Sequence, residues 1–501
     1  MGRANDRQFS AQLPKVAGSL HREAKPGNEE SVERDIAGAS ASRTAPAWQG
    51  RATAACVLLF AAAAPWSIAA AQSAVVLLAV LLLVTTVAAW ARCRRAPWRE
   101  ETFRLPPTLV LVLVFLLVQA LSIPLGIHPA HSLRCFRGSW VMLFAFVFTI
   151  ALSDGVRGRA LRWFVVSAAL AGLYGGIQHF TGLTLPGKRL ELLGGGFIAV
   201  GTLGHHLSYA GVLLPAFFVA LGLFVDARAA AFPRKTASPP ETQRGVAFAR
   251  PAFFGVPLLG PRRSWFWAAA MLLILLGVVM SYARTAWVGM VAGLLLLGIV
   301  RGRRTLLLIV AGMVALGIAA VLLEPQLLAR VGSIGHHLSA RDESQDSARV
   351  RLWLTSLRMA ADHPWIGAGL GSFGTLFERY RIPGAYMSIA HPHSDPLNVL
   401  VETGAVGLAA WTAIWIAFFG ALACVRRRAR GEGSALPAAL GAAVAALLVG
   451  GLGQCFSTDE KVAQVWWFVT AAGLREAEAW RQRSSETPRS AKERPWAFAR
   501  H

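Results

Sequence analysis

The residue types that could perform chemistry gather in residues 391–396, His-Pro-His-Ser-Asp-Pro. His393 is the candidate general base or acid, because an imidazole titrates near neutral pH and can take up or release a proton there. Asp395 could orient that ring. Two alternatives stay open: a structural loop histidine, or a metal site in which His391, His393 and Asp395 converge on one cation. The segment offers no further strong ligand, so we predict no metal and no cofactor.

Three arginines add candidate anion-binding groups. Arg284 lies in a short connection between two apolar runs, where its planar, permanently charged guanidinium suits a phosphate. The alternative is an arginine that snorkels to the membrane surface. Arg349 and Arg351 fall within residues 345–361, whose apolar spacing predicts an amphipathic helix. A solvated charged face is the alternative for these two.

The elements that must position these residues are membrane-spanning helices. The chain has 501 residues and is 55% hydrophobic, and its apolar residues form runs of roughly 18 to 22 residues, the length needed to cross a bilayer. The sequence therefore predicts an all-α polytopic membrane protein with about twelve transmembrane helices. The predicted spans lie near 52–70, 72–91, 107–126, 138–153, 160–180, 206–225, 264–282, 285–300, 305–323, 403–424, 435–453 and 461–475.

The positive charge predicts the orientation of these helices. The formal net charge is +23, but the basic residues flank the apolar runs, which excludes nucleic-acid binding and fits the positive-inside rule. Every second connection is rich in arginine, as at 92–95, 157–159, 301–304 and 426–428. Both termini are therefore predicted to be cytoplasmic, in a bacterial inner membrane, and the site to be periplasmic.

The same pattern divides the chain into five parts. We predict a disordered cytoplasmic tail (1–50), nine transmembrane helices (51–323), a large periplasmic loop with the catalytic residues (324–402), three transmembrane helices (403–475) and a basic cytoplasmic tail (476–501). The loop is long but not of low complexity, which favours a functional role.

The distribution of acidic residues limits the donor. The sequence contains no Asp-x-Asp, which argues against a metal-bound sugar nucleotide. The first and second outward connections also lack the carboxylate that some membrane glycosyltransferases place in an early outer loop. Arginines around a histidine instead favour an anionic donor that carries its own leaving group, such as a lipid pyrophosphate.

Three segments resemble O-antigen ligases and the related O-antigen polymerases, a family of membrane glycosyltransferases. They are residues 201–210 (Gly-Thr-Leu-Gly-His-His-Leu-Ser-Tyr-Ala), residues 281–287 (Ser-Tyr-Ala-Arg-Thr-Ala-Trp), and residues 349–408, which end in Glu-Thr-Gly-Ala-Val-Gly-Leu. The resemblance covers about 190–410 in motifs and the whole chain in topology. Two positions depart from the family pattern. Ala199 stands where many members have a basic residue, a role that Lys188 or Arg189 could take, and Ser394 stands where asparagine commonly follows the histidine.

The resemblance implies a function and its residues. Arg284, Arg349 and His393 match functional positions of the family and are the predicted catalytic residues. The predicted substrate-binding residues are Lys188, Arg189, His205, Arg351 and Asp395. Family members transfer a glycan from undecaprenyl pyrophosphate to an acceptor, which for ligases is lipid A–core, on the periplasmic face of the membrane and without a metal.

Three other functions stay open. An O-antigen polymerase would extend a second lipid-linked glycan, and a protein O-oligosaccharyltransferase would modify a protein. A transporter of lipid-linked glycans belongs to a different class and would place ionisable residues deep within its spans. Charges within the predicted spans are nearly absent here, which favours the transferases.

Overall fold

The structure is a computed structural model that describes residues 47–93, 105–185, 190–193, 195–231, 262–323, 345–384, 386, 391–429 and 434–486. The chain divides into two compact units, residues 1–50 and residues 51–501. Of the first unit only 47–50 are described, as the beginning of a helix. Of the predicted tails, residues 47–50 and 476–486 are described and are helical; the rest of both tails and the first part of the loop, residues 324–344, lie outside the described residues.

The described elements are helical apart from one short hairpin. In chain order they are α1 (Ala47–Ala63), α2 (Ile68–Cys93), α3 (Pro107–Leu125), α4 (Pro129–Phe136), a 3₁₀ helix (Arg137–Leu143), α5 (Phe144–Ala151), α6 (Asp154–Thr181), β1 (Leu192–Leu193), β2 (Gly196–Phe197), α7 (His206–Ala231), α8 (Arg262–Met280), α9 (Arg284–Arg301), α10 (Arg303–Leu323), α11 (Gln345–Asp362), α12 (Ser372–Tyr380), α13 (Asp395–Ala429), α14 (Leu436–Gly450) and α15 (Glu460–Glu486). The two strands pair in antiparallel fashion.

The predicted fold class, an all-α polytopic membrane protein, is confirmed. Seven stretches within the described residues are long and apolar enough to cross a bilayer: Ile68–Ala88, Pro107–Leu125, Pro129–Ala151, Asp154–Thr181, His206–Ala231, Arg284–Arg301 and Asp395–Val425. Ser264–Met280 and Leu436–Gly450 are shorter apolar helices. Each predicted span overlaps at least one described helix, while the total of about twelve spans stays a prediction.

Small residues let the helices of the bundle approach closely. A Cβ on Gly172 of α6 would lie 2.2 Å from the Leu273 carbonyl oxygen of α8, and one on Gly289 of α9 would lie 2.3 Å from the Ala446 oxygen of α14. Small residues at such crossings are typical of membrane helices, whose packing depends on van der Waals contact. The crossing of α9 and α14 fixes where the first residue of α9, Arg284, can lie.

Helix α13 is broken at Gly404, where φ is 65° and ψ is −167°. A Cβ at this position would lie 2.3 Å from the Trp365 carbonyl carbon, so the break brings the loop backbone into contact with the helix. The helix begins at Asp395, eight residues before the predicted span at 403. Residues 395–403 thus form a short helical segment between the loop and the long apolar part of α13.

The loop backbone at residues 364–369 satisfies the polar groups that this break exposes. Helix ends leave N–H and C=O groups without partners inside the helix. Four hydrogen bonds supply them here: Ala368 N to Val401 O (2.8 Å), Gly369 N to Glu402 O (3.1 Å), Ala405 N to Pro364 O (2.8 Å) and Val406 N to Trp365 O (3.2 Å). We call residues 364–369 the clasp, because they join the loop to α13 on both sides of the break.

Helix α11 occupies the range predicted for the amphipathic helix, with one further residue at its end. Leu352 and Met359 are buried in a small core that also contains Phe373 of α12. Leu354 and Leu357, which belong to the predicted apolar stripe, are exposed. The buried side of the helix is therefore rotated from the predicted stripe, and Arg351 lies on that buried side.

Candidate active site

His393 lies in the short segment that leads into α13, and its environment leaves one ring nitrogen available. Its Nδ1 is 2.9 Å from Oε1 of Gln454. Because an amide oxygen only accepts, Nδ1 carries the proton and Nε2 carries the lone pair. The residue is 7% exposed, and among the described residues nothing hydrogen-bonds to Nε2. That atom can therefore accept a proton from a bound substrate.

The backbone of His393 is held in an unusual conformation. Its φ is 51°, and Tyr282 with φ 53° is the other residue besides glycine that has a positive φ in the described part of the chain. The His393 N–H donates to His391 Nδ1 at 3.3 Å. Such conformations cost about 1–3 kcal/mol each and concentrate at functional sites. One of the two strained residues is the predicted base itself, and the other, Tyr282, lies two residues before Arg284.

The surroundings keep the imidazoles neutral. Burial lowers the pKa of His393, and the charges of Arg349 and His205 lower it further, although the hydrogen bond to Gln454 raises it. Burial also lowers the pKa of His391 to about 4, with added repulsion from His393 and His205. At neutral pH both rings are therefore uncharged, which is the state that a general base requires.

Asp395 does not contact the imidazole, contrary to the orienting role expected from its spacing. Its Oδ1 accepts hydrogen bonds from the backbone N (2.9 Å) and from Oγ of Ser457, and its own N donates to Gly451 O at 2.7 Å. Asp395 thus anchors the turn between α14 and α15, which carries Gln454. No group of three His, Cys, Asp or Glu side chains in the described ranges is arranged to hold a metal ion.

Arg284 begins α9 and is half-buried beside the same turn. The next residue, Thr285, packs closely against this turn. A Cβ placed on Gly453 would lie 2.9 Å from Thr285 Cγ2, and a Cβ placed on Gly450 would lie 3.1 Å from Thr285 O. Gln454 follows Gly453 directly. The structure therefore brings the first turn of α9 and His393 against one turn of chain, residues 450–457.

Residues 198–206 are attached to the end of α8 and to α6 by hydrogen bonds. The N–H of Ala199 donates to Met280 O at 2.9 Å, which joins the segment to the end of α8. Gln178 of α6 holds it from the other side, because its Oε1 accepts from Val200 N (3.1 Å) and Gly201 N (2.8 Å). Ala199 itself is fully buried, so this position is occupied by a packed methyl group.

His205, a predicted substrate-binding residue, lies at the end of this segment. The residue is largely exposed, yet partial desolvation of the ring lowers its pKa, an effect that Asp459 opposes. Since the charge of His205 acts on both His391 and His393, the three imidazoles share one electrostatic environment. The predicted residues Lys188 and Arg189 lie outside the described residues.

The two arginines of α11 differ in their surroundings. Arg349 is half-buried, and its charge acts on His393, which places it in the same region. Arg351 is 3% exposed, and its guanidinium carbon lies 5.6 Å from the ring centroid of Tyr386. A Cβ on Gly384 would lie 2.8 Å from its Nε. Arg351 is therefore packed against Gly384 and Tyr386 and is not part of a solvated face.

Sequence reasoning missed Gln454 and Ser457, which support His393 and Asp395. Both lie in the connection between α14 and α15, where Gln454 comes 61 residues after His393 and Ser457 comes 62 residues after Asp395. The available signal was a buried-looking glutamine inside Gly-Leu-Gly-Gln-Cys-Phe, between two apolar runs at the predicted outer side. Its pairing with the imidazole depends on how α13, α14 and α15 pack together.

Comparison with known proteins supports the family assignment. Residues 269–412 match the family model described as O-antigen ligase. A stretch of 150 residues, 30% of this chain, is 29% identical to a protein of Pseudomonas aeruginosa named O-antigen ligase, and covers 33% of that protein. The match thus spans about a third of the length of the curated relative. The predicted resemblance to O-antigen ligases is confirmed; the matched range contains Arg284, Arg349 and His393 but neither residues 201–210 nor Gln454.

Proposed function

We propose that this chain, which resembles O-antigen ligases, is a membrane glycosyltransferase that joins a lipid-linked glycan to an acceptor hydroxyl. One observation carries the proposal. His393 is buried, which lowers its pKa; its Nδ1 contacts Gln454, and its Nε2 has no hydrogen-bond partner in the described part of the chain. A neutral imidazole with one available lone pair is suited to remove a proton from a hydroxyl group.

The proposed reaction is a displacement at the anomeric carbon of the donor glycan. His393 Nε2 takes the proton of the acceptor hydroxyl, and the acceptor oxygen forms a bond to the anomeric carbon. The bond from that carbon to the pyrophosphate oxygen breaks, and its electron pair leaves with undecaprenyl pyrophosphate. The imidazolium then releases its proton to water. The proposed donor is an undecaprenyl-pyrophosphate-linked glycan, and the proposed acceptor is lipid A–core.

Arg284 and Arg349 are the proposed clamp for the pyrophosphate. Two fixed guanidinium charges stabilise the negative charge that develops on the leaving group, and such electrostatic stabilisation is often the largest part of catalysis. The first turn of α9 contacts the turn that carries Gln454, and the Arg349 charge acts on His393. These contacts support a common site. His205, Lys188 and Arg189 are proposed to bind the donor or acceptor beside it.

The proposed orientation follows from the arginine-rich connections. Both termini would lie in the cytoplasm, and the histidine segment would face the periplasm of a bacterial inner membrane. Three residues at the opposite end of the described bundle, Arg157, Asp154 and Glu476, form ion pairs, and Arg157 belongs to one of these basic connections. Topology reporters fused after residues 93, 343 and 486 test this arrangement, and a cytoplasmic signal at 343 would contradict it.

The test of the activity is transfer in vitro. Purified protein in nanodiscs receives an undecaprenyl-pyrophosphate glycan and lipid A–core, with and without a metal chelator. We expect transfer in both conditions and loss of transfer in His393→Ala. Loss of transfer on chelation would contradict the metal-free mechanism, and full transfer by a folded His393→Ala protein would contradict the proposed base.

The glycans of a deletion strain, together with transfer assays that use other acceptors, identify the acceptor. Ligation to lipid A–core predicts that the strain lacks capped lipopolysaccharide. Loss of long chains alone would identify a polymerase, and loss of glycoprotein would identify a protein O-oligosaccharyltransferase. Movement of the lipid-linked glycan across vesicles without transfer would identify a transporter.

A further inference from the structure

We infer that Gln454 is a positioning residue for the transfer: its amide oxygen holds His393 in the tautomer whose lone pair is on Nε2. This inference rests on the proposed function, in which Nε2 takes the proton of the acceptor. It assigns a role to a residue outside the matched range 269–412, on the turn between α14 and α15.

The tautomer follows from the orientation of the Gln454 amide, whose oxygen faces Nδ1 of His393. Gln454 is 6% exposed and His393 is 7% exposed, so water does not compete freely for the 2.9 Å contact between them. A histidine in solution divides its proton between two nitrogens, and a fixed acceptor on one nitrogen selects which one carries it. The acid nearest in sequence, Asp395, is already engaged with Ser457.

An uncharged partner suits this site better than a carboxylate. A carboxylate beside Nδ1 stabilises the imidazolium and raises the basicity of the ring, as in carboxylate–histidine pairs. The charged or titratable groups that act on His393 are Arg349 and His205, with the His391 ring 4.3 Å away between centroids. All three carry or can carry positive charge. A neutral amide orients the ring while these groups keep it unprotonated.

Gln454 is itself held in place from two sides. Asp395 bonds to Gly451 and Ser457, three residues before and three residues after it, so both arms of the turn are tied to the start of α13. Thr285 packs against Gly453 from α9. The turn is therefore a rigid support, and a change at Gln454 is expected to alter the ring orientation without moving the surrounding backbone.

The first test replaces the amide by an apolar group of similar size. Supporting residues of this kind typically contribute about 10- to 100-fold to activity, so we expect Gln454→Leu to lower kcat for transfer by about that factor with KM for the lipid-linked donor nearly unchanged. The matched control is Gln464→Leu, because Gln464 is also fully buried in the described structure but neither of its amide atoms hydrogen-bonds to any described residue. It should keep wild-type kcat.

The second test replaces the amide by a carboxylate. Gln454→Glu keeps an acceptor at Nδ1 but raises the pKa of His393, so the acidic limb of the kcat profile should move to higher pH while activity at pH 8 is retained. Gln454→Leu cannot produce this shift through an acceptor. The shift reports that residue 454 contacts Nδ1 of His393 in the working protein, and this readout remains informative if Gln454→Leu fails to fold.

The outcomes separate this inference from the proposed function. Wild-type kcat in a folded Gln454→Leu, an equal loss in Gln464→Leu, or an unshifted limb in Gln454→Glu would each overturn the role of Gln454. If His393→Ala is inactive in the same assay, the proposed base survives that result. If His393→Ala transfers normally, the proposed base fails, whatever Gln454 does.

Discussion

The two ends of the helix bundle differ in whether their buried polar groups have hydrogen-bond partners. Near one end Arg157 pairs with Glu476 at 2.8 Å and with Asp154 at 2.7 Å. Near the other, the buried atoms without a hydrogen-bond partner among the described residues include His393 Nε2, Asp395 Oδ2 and Thr285 Oγ1. Glu476 comes sixteen residues after the start of α15 at Glu460, which separates the two ends by about 24 Å.

The contrast indicates which end serves stability and which serves chemistry. A buried polar atom without a partner costs about 1–3 kcal/mol, and the three atoms named here belong to the proposed base or to residues beside it, where a bound substrate would supply the missing contacts. In an ion pair the donors and acceptors already bond to each other, so they are not available to a ligand. Substitutions at the two ends should therefore have opposite profiles, with activity lost at one end and folding stability lost at the other.

The largest expected effect is at the histidine. His393→Ala should lower transfer by about 10²–10⁴-fold, the usual contribution of a general base, and should lower the melting temperature in detergent less than the loss of a buried ion pair would, because the ring makes one neutral hydrogen bond, to Gln454. Transfer assays and thermal unfolding of the same preparation check both parts. A strong loss of stability would remove the contrast between the two ends.

At the opposite end, Arg157→Met should destabilise the protein by about 3–5 kcal/mol, because it leaves the buried Glu476 carboxylate without its partner. The variant keeps an apolar stem of similar length. Arg159→Met, at an exposed arginine two residues away, is the control and should change stability by no more than about 0.5 kcal/mol. Activity per folded molecule should stay at the wild-type value in both, as measured by transfer normalised to folded protein.

A smaller effect is expected when the proposed pyrophosphate clamp keeps its charge but loses its shape. Arg284→Lys removes the planar fork that can bond two oxygens, and we expect transfer to fall about 10- to 100-fold, the value of one charge-assisted hydrogen bond. The loss should appear in kcat/KM for the donor and leave unfolding unchanged. An equal loss of stability would place Arg284 with the structural arginines.

The smallest expected effect is in the pH profile. Burial, Arg349 and His205 lower the pKa of His393 below its usual 6.5, and the base is active only when unprotonated. Activity therefore falls as pH falls through this lowered pKa, and at pH 6.5 the loss should be less than the twofold expected of an ordinary histidine. A kcat profile from pH 5 to 8 measures it; half-maximal kcat at or above pH 6.5 would contradict the lowered value.

The sequence predicts the helices better than it predicts the support of the site. Apolar runs of spanning length predict the long apolar helices, because lipid requires internal hydrogen bonding in every span. The beginning of α13 was placed at 403 and lies at Asp395, because residues 395–403 are helical but not uniformly apolar. The break at Gly404 that separates them from the long apolar part requires the clasp, which comes from earlier in the chain.

For the candidate site, too, the sequence predicts the reactive residues but not the contacts that support them. Residue chemistry and family resemblance were enough to propose His393, Arg284 and Arg349, which all lie within the matched segment. The partner of the imidazole was expected two residues away, at Asp395, and is found at Gln454. Local spacing cannot reveal a contact across sixty-one residues, because that contact is made by the packing of three helices.

The clasp also has a consequence for redesign. Four backbone hydrogen bonds join residues 364–369 to both sides of the break in α13, and backbone bonds do not depend on side-chain identity. A chimera that exchanges the loop alone would have to rebuild these bonds against a foreign helix. Grafting a new acceptor preference onto this scaffold therefore calls for a cassette that begins before Pro364 and ends after Val406, moved as a single piece.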